Sequence, residues 1–401
     1  MKNSVVLCYL IVCFSLGCCK EQQPNTNSLT PEVIWKTSFG NGLTSSMYPV
    51  INKNLVIYSA YDSSNSKHKF VAFNKETGIK VWEWKNSNQP TGYLGVQQQY
   101  VKDNILVMPL SGRPYQVVAV NLDNGSQLWH TTLPEGGSFQ MVGVDDKVFH
   151  IRSNYDRMKE EIFVTDIRTG NWQSVYAASN TNAPIFIRGM HCYMNKDGKN
   201  YLAFLVNKYT DFNFKESEFT LFKYSVDSSK MVSQKVLSFI KKNNAGAFFA
   251  KATMDKFWLE GSPVYSIDEV TGEKLLEISP PFPEALSGKI GVFDDKIFMP
   301  RTETLLCFSG KTGQQLWQDD GRSSGSTDRF QVHNNVLYFA SRGNGLLHAF
   351  NVLTGERIWK VESPDIKQDN AGFDAIVTVD PLSNRVYAAS YLSAICYKTA
   401  K

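Results

Sequence analysis

One eight-residue pattern recurs along this chain, and an internal repeat constrains a fold more tightly than composition can. Its copies read Val71-Ala72-Phe73-Asn74-Lys75-Glu76-Thr77-Gly78 with Trp82, and Val118-Ala119-Val120-Asn121-Leu122-Asp123-Asn124-Gly125 with Trp129. Next come Phe163-Val164-Thr165-Asp166-Ile167-Arg168-Thr169-Gly170 and Tyr265-Ser266-Ile267-Asp268-Glu269-Val270-Thr271-Gly272. The last two are Leu306-Cys307-Phe308-Ser309-Gly310-Lys311-Thr312-Gly313 with Trp317, and His348-Ala349-Phe350-Asn351-Val352-Leu353-Thr354-Gly355 with Trp359. The glycines are spaced by 47, 45, 102, 41 and 42 residues. The 102-residue gap holds two periods and an insertion, and the degenerate copy Lys223-Tyr224-Ser225-Val226-Asp227-Ser228-Ser229 fills it. Seven units result.

Each position has a physical meaning. The residues ahead of the turn alternate in strand fashion. Asn or Asp followed by Thr-Gly or Asn-Gly then makes a tight hairpin turn that needs φ > 0 at Gly. A strand resumes, and the Trp four residues past Gly is expected to pack flat on the neighbouring sheet. The site six before Gly is small in most copies (Ala72, Ala119, Ser266, Cys307 and Ala349, with Val164 the exception), which marks a crowded inner position. Cys307 is therefore read as a small core residue and not as a reactive thiol. Upstream, Asn52-Lys53-Asn54, Lys102-Asp103-Asn104, Asp145-Asp146-Lys147, Asp294-Asp295-Lys296 and His333-Asn334-Asn335 each precede an apolar run, and these read as turns too. Two tight turns in each period imply four short strands per unit, the blade of a β-propeller.

The two ends of the chain supply an eighth unit. The C-terminal Arg385-Val386-Tyr387-Ala388-Ala389-Ser390 and Ala394-Ile395-Cys396-Tyr397 stop where the turn and Trp strand should follow, and Val33-Ile34-Trp35-Lys36-Thr37-Ser38-Phe39 provides that piece. The predicted fold is all-β: eight four-stranded blades in a ring closed by the N-terminal strand, which leaves no open edge between first and last blade. The pattern of a small residue, an aromatic and Asn or Asp, then Thr-Gly-x-x-x-Trp, resembles the PQQ-like repeat of quinoprotein-like propellers over nearly the whole chain after residue 31. The Gly-His and Trp-Asp signatures of WD40 propellers are absent.

Ahead of the repeats lie Met1-Lys2-Asn3, an apolar run from Val5 to Gly17, and Cys18-Cys19-Lys20-Glu21. That run is shorter than the roughly 20 residues a bilayer span needs, and it fits the apolar region of a secretory signal. Ser15-Leu16-Gly17-Cys18 resembles the bacterial lipoprotein signal, which implies lipidation at Cys18; Leu16-Gly17-Cys18-Cys19 makes Cys19 the alternative acceptor. An ordinary cleaved signal with incidental cysteines is the plainer reading. The polar stretch after the cysteines has nothing to bury and reads as a tether. The expected organisation is a signal peptide at 1–17, a tether at 18–31 and a propeller at 32–401. The lack of an acidic residue directly after either cysteine resembles lipoproteins sorted to the outer membrane. Lys20-Glu21 resembles the short charged signal on surface-exposed lipoproteins of some Bacteroidetes.

Composition narrows the partners. Lys and Arg total 42 against 38 Asp and Glu, with no basic run, so no nucleic-acid surface is expected. Cys192, Cys307 and Cys396 are too dispersed for a disulfide framework or a metal pair. Gly321-Arg322-Ser323-Ser324-Gly325 matches G-x-S-x-G, but it follows a propeller strand without the helix a nucleophile elbow needs; it reads as a loop. Asp145-Asp146 and Asp294-Asp295 occupy the same hairpin turn in two repeats, and Asn195-Lys196-Asp197-Gly198 is another turn. The six histidines show no pair at ligand spacing. Quinone-dependent dehydrogenases sharing this repeat resemble longer chains, with insertions that build the cofactor pocket. With about 48 residues per blade, no catalytic, cofactor or metal residue is assigned and no cofactor is expected.

A lipoprotein leader, a tether and a propeller without inserted domains together resemble the lipoprotein propeller subunit of the outer-membrane β-barrel assembly machinery. The resemblance implies a non-catalytic scaffold, held in the outer membrane by its lipid and bound to a membrane β-barrel partner, while monomeric by itself. Irregular stretches are the candidate partner contacts. They are the long fourth unit, with Tyr209, Phe212 and Phe214 among charges, and Pro280-Pro281-Phe282-Pro283. Two other classes stay open. A ligand- or glycan-binding surface lipoprotein would carry a ring of exposed aromatics on one face. An axial-pocket enzyme would gather carboxylates and amides at the axis.

Overall fold

The computed structural model describes residues 30–400 apart from several intervals, the longest being 86–98, 241–247, 280–288 and 320–329. Eight antiparallel sheets follow one another, and in seven of them the strands lie in chain order. The second is typical: Tyr100–Lys102, Ile105–Leu110, Gln116–Asn121 and Gln127–Thr132 run from the axis outward. In the first blade the inner strand is split into Gly42–Thr44 and Val50–Asn52, both paired with Leu55–Asp62. The eighth sheet holds Phe373–Asp380, Arg385–Ser390 and Ser393–Lys398, and its outer strand is the N-terminal Val33–Ser38. Trp35 stands opposite Cys396 and Thr37 opposite Ala394, so the chain's own beginning shuts the ring as its repeat pattern requires.

The core is distributed among the seams. Eight apolar clusters of buried residues each span two consecutive blades, and the one formed by Trp35, Tyr58, Phe73, Tyr387 and Cys396 joins the last blade to the first. A middle strand therefore has a neighbour on each face. Leu305–Ser309 is buried at every residue, whereas the outer strand Gln127–Thr132 is largely exposed. The alternation expected ahead of each turn survives as a choice between two seams rather than between core and solvent.

The repeat Trp and Gly meet across these seams. Trp35 of the last blade lies on Gly78 of the first, Trp82 on Gly125, Trp129 on Gly170 and Trp317 on Gly355. The indole Nε1 of Trp35 donates to the Lys75 carbonyl at 3.0 Å, and that of Trp129 to the Ile167 carbonyl at 2.7 Å. Gly78 is required twice over. Its φ is +69°, and a β-carbon there would come within 2.7 Å of the Trp35 ring. The small site six before Gly also finds its reason. Ala72, Ala119, Cys307 and Ala349 stand directly across from Trp82, Trp129, Trp317 and Trp359, and Cys396 across from Trp35. Cys307 is fully buried, and desolvation pushes its thiol up to about 12, as fits a packing residue.

The upstream turns are hairpins, with Lys53, Asp103, Asp145, Asp294 and Asn334 all in the left-handed region. Charge links adjacent blades along this face. Arg168 donates to Asp103 at 2.8 Å and to Asp146 at 3.1 Å, and Lys53 pairs with Asp123 at 2.9 Å. The seam between blades four and five lacks the Trp contact, because Gly272 faces Lys235. There a buried ion pair between Lys223 and Glu269 takes its place, with Tyr193 Oη donating to Glu269 at 2.6 Å and the Lys223 ammonium 4.1 Å from the Tyr201 ring centre.

Candidate functional site

In a four-stranded antiparallel blade, alternate connections emerge at opposite ends. The first-to-second and third-to-fourth turns, tight and encoded by the repeat, share one face of the ring. The second-to-third connections and the links between blades share the other. Blade four departs most from its neighbours on this loop face. Its strands Ile185–Met194, Asn200–Tyr209 and Ser217–Ser225 run to 10, 10 and 9 residues, against 5 for Lys296–Pro300 and Leu305–Ser309 of blade six. They carry the connecting loop beyond the rim.

The projection has its own apolar cluster, Ala183, Phe186 and Tyr209, separate from the eight seams. Phe214 stands against it, its ring 4.9 Å from Tyr209 and 6.3 Å from Phe186. The Arg188 guanidinium lies 4.4 Å from the Phe186 ring and donates to Tyr209 Oη at 3.2 Å. At the loop base Thr210 N donates to the Glu216 carbonyl at 3.0 Å, and at the tip Asp211 accepts from Asn213 N at 2.8 Å. Phe214 is held at φ +59°, a conformation uncommon for a bulky residue and found where the surroundings over-determine it. Phe212 is 59% exposed and Phe214 47%. An exposed aromatic beside a packed one, near an arginine, has the composition of a protein-docking hot spot.

The second feature of this face is a cavity of about 420 Å³ on the axis. Gln99, Gln140 and Lys289, which precede inner strands, stand with Glu260 toward its mouth, while His191 and Lys251 lie on inner strands. Lys251 Nζ donates to the Val292 carbonyl at 2.5 Å. His191 Nδ1 lies 2.7 Å from the Cys192 carbonyl, and desolvation chiefly, with the Lys251 charge, holds its basicity down.

Of the residues singled out from sequence, Phe212 and Phe214 lie together on the blade-four projection. Phe282, Cys18, Cys19 and the G-x-S-x-G segment fall outside the described residues. Both Asp-Asp pairs sit in hairpin turns, and Asn195–Gly198 closes a turn through Gly198 N and the Asn195 carbonyl at 2.9 Å. Among the described residues no group of three or more His, Cys, Asp or Glu could hold a metal ion. No helix there is long and apolar enough to cross a membrane. Sequence reasoning missed Phe186, Arg188 and Lys251, because strand pairing and ring closure place them. Glu269 did leave a signal, since it stands where other copies of the repeat carry Leu122, Ile167 and Val352.

The closed ring, the Trp-on-Gly seams and the absence of helices among the described residues define an eight-bladed β-propeller of PQQ-like repeats. A family model described as "Outer membrane protein assembly factor BamB" matches residues 27–203 and 260–394. The chain belongs to that family. Solved structures show the same fold. BamB from Moraxella catarrhalis is 13% identical with a TM-score of 0.60, over 92% of this chain and 98% of that one. The computationally designed Ika8 protein is also 13% identical, with a TM-score of 0.61 over 92% of this chain and 100% of that one. The C-terminal WD40 domain of Sif2 is 10% identical with a TM-score of 0.56, over 92% and 99%. No curated protein matches the chain.

Proposed function

We propose that this protein is a non-catalytic scaffold of the outer membrane, lipidated at Cys18 or else Cys19, that docks a membrane β-barrel protein of the assembly machinery. Residues 1–17 act as its signal peptide and 18–31 as the tether. The observation that carries the reading is the blade-four projection, an aromatic knob on the loop face of a chain in the BamB family. Docking would bury Phe212 and the outer face of Phe214, with Arg188 already oriented by Phe186 and Tyr209. Phe282 is the second candidate contact.

The test is a mild-detergent pull-down of the lipidated protein with mass spectrometry of what co-elutes. The expected result is stoichiometric recovery of an outer-membrane β-barrel protein, reduced at least about tenfold by Phe212→Ser with Phe214→Ser at unchanged melting temperature. Recovery of the protein alone would overturn the scaffold reading. Labelling with a fatty-acid probe should be lost in Cys18→Ala or, failing that, in Cys19→Ala. Labelling that survives the double substitution removes the anchor.

A further inference from the structure

We propose that the axial cavity binds a small apolar hydroxy acid, its carboxylate on Lys251, its hydroxyl on His191 and its apolar body along Met141, Met190 and Phe330. This goes beyond the docking reading and does not depend on it, since the cavity and the blade-four projection share no residue.

The first observation is an ammonium group facing a half-open cavity with no carboxylate paired to it. Lys251 is half-buried. It touches the Val292 carbonyl at 2.5 Å and the Phe293 ring centre at 5.3 Å; the Asp294 charge acts on it from a distance, and among the described residues no carboxylate lies in ion-pairing range. An ammonium carries three N–H donors, so two remain for a ligand. Withdrawing such a charge from water is costly unless an anion answers it. Lys75 and Lys223 are also largely buried, yet each has its carboxylate, in Asp380 and Glu269. Lys251 instead faces the cavity.

The second observation specifies the hydroxyl. His191 Nδ1 lies 2.7 Å from the Cys192 carbonyl. A carbonyl can only accept, so Nδ1 carries the proton. In a neutral imidazole the other nitrogen is then a bare acceptor. Desolvation, with the neighbouring Lys251 charge, keeps this ring neutral. Nε2 therefore offers a lone pair, which repels a carboxylate and suits an O–H donor. A cation beside a bare acceptor matches a molecule carrying both a carboxylate and a hydroxyl.

The remaining wall sets size and polarity. The cavity holds about 420 Å³, within the usual range of small-molecule pockets. Two inner-strand glycines in its wall are each covered by an aromatic ring. Phe330 lies against Gly291, where a β-carbon would come within 2.5 Å of the ring, and Tyr100 lies likewise against Gly143. Met141, Met190 and Phe330 supply the apolar part of a lining that is mostly polar. Gln99, Gln140, Glu260 and Lys289 stand at the mouth, on the loop face.

The full-length protein in detergent micelles would be titrated calorimetrically with mandelate of either hand, with phenylacetate, which lacks the hydroxyl, and with mandelamide, which lacks the charge. One mandelate enantiomer should bind with a Kd of about 1 mM or tighter, and phenylacetate and mandelamide at least about tenfold more weakly. Lys251→Met should abolish mandelate binding without lowering the melting temperature, because it removes an unpaired cation. Lys289→Met, at the exposed mouth, should change affinity less than about threefold. Equal binding of mandelate and mandelamide, undiminished binding by Lys251→Met, or no heat from mandelate at about 10 mM would each overturn the proposal. A melting temperature lowered by Lys251→Met would show that the ammonium serves the fold and would overturn it as well.

Discussion

At the scale of single residues, the molecule turns on a contact between the largest side chain and the residue that has none. Trp35 covers Gly78, and its Nε1 reaches the carbonyl of Lys75 at 3.0 Å. An indole also covers Gly125 (Trp82) and Gly355 (Trp317), while Gly313 faces the aliphatic Leu276 at 3.2 Å and Ile278 at 3.6 Å. Both Gly78→Ala and Gly313→Ala place a side chain at positive φ, which costs about 1–2 kcal/mol. Gly78→Ala must in addition displace an indole, and overpacking of that kind costs about 1–3 kcal/mol more. Urea denaturation of the two variants should show Gly78→Ala as the more destabilised by that margin. Equal losses would mean that backbone conformation alone keeps glycine there. Trp, Gly and the small site were each legible as recurring letters. Their mutual contacts were not, because Trp35 and Lys75 are 40 residues apart and belong to different sheets.

At the scale of blades, seams are interchangeable in position but not in chemistry. Four of them carry an indole cover on the turn glycine among the described residues. The seam between blades four and five instead buries Glu269 against Lys223 and Tyr193. Removing one partner of a buried pair strands the other, at a cost of about 3–5 kcal/mol. Glu269→Ala should show that loss in urea denaturation, and Lys223→Met combined with Glu269→Leu should recover most of it. If the double variant is no better than the single one, the seam needs the polar network and not merely filled volume. The repeat pointed to this place, for Glu269 is a carboxylate where three copies carry Leu122, Ile167 and Val352; which cation answers it depended on strand pairing. Blade four's projection was legible as an irregular aromatic stretch, but its support was not. Phe186 and Arg188 sit on the preceding strand, brought beside Tyr209 by the long hairpin.

At the scale of the whole molecule, closure and burial decide behaviour. Val33–Ser38 is the outer strand of the last blade, so deletion of residues 30–39 should leave Ser393–Lys398 as an unpaired edge and strip Trp35 from Gly78. Unpaired edges invite association. Size-exclusion chromatography should then show oligomers and loss of the monomer, and a monomer with an unchanged urea midpoint would contradict closure by this strand. Acid acts on the ring through its buried imidazoles. Burial holds His150 and His348 down to about 3 from an ordinary 6.5. The unfolded chain takes up both protons as pH falls through 6.5, whereas the folded chain refuses them until about 3. Stability should decline throughout that window, with each histidine contributing a slope of up to about 1.4 kcal/mol per pH unit. His348, whose ring nitrogens have no hydrogen-bond partner among the described residues and which stacks on Phe339 at 5.0 Å, is the clearest reporter. His348→Phe should flatten the acid limb of the urea midpoint between about pH 7 and about pH 4, and an unchanged limb would place the acid sensitivity elsewhere.

What the sequence by itself determined is whatever a local rule repeats: the turn glycines, the strands between them, the number of blades and the closing role of the first strand. Each rests on backbone conformation or on periodicity, which a short stretch of chain contains in full. Only the tertiary structure decided which residues meet across a seam, which loops rise above the rim and which side chains face the axis. Those depend on the ring's closing, which brings Trp35 to Gly78, Lys223 to Glu269, and His191 and Lys251 to one cavity. Seams and axis are shared by blades, and no single repeat encodes what its neighbour supplies.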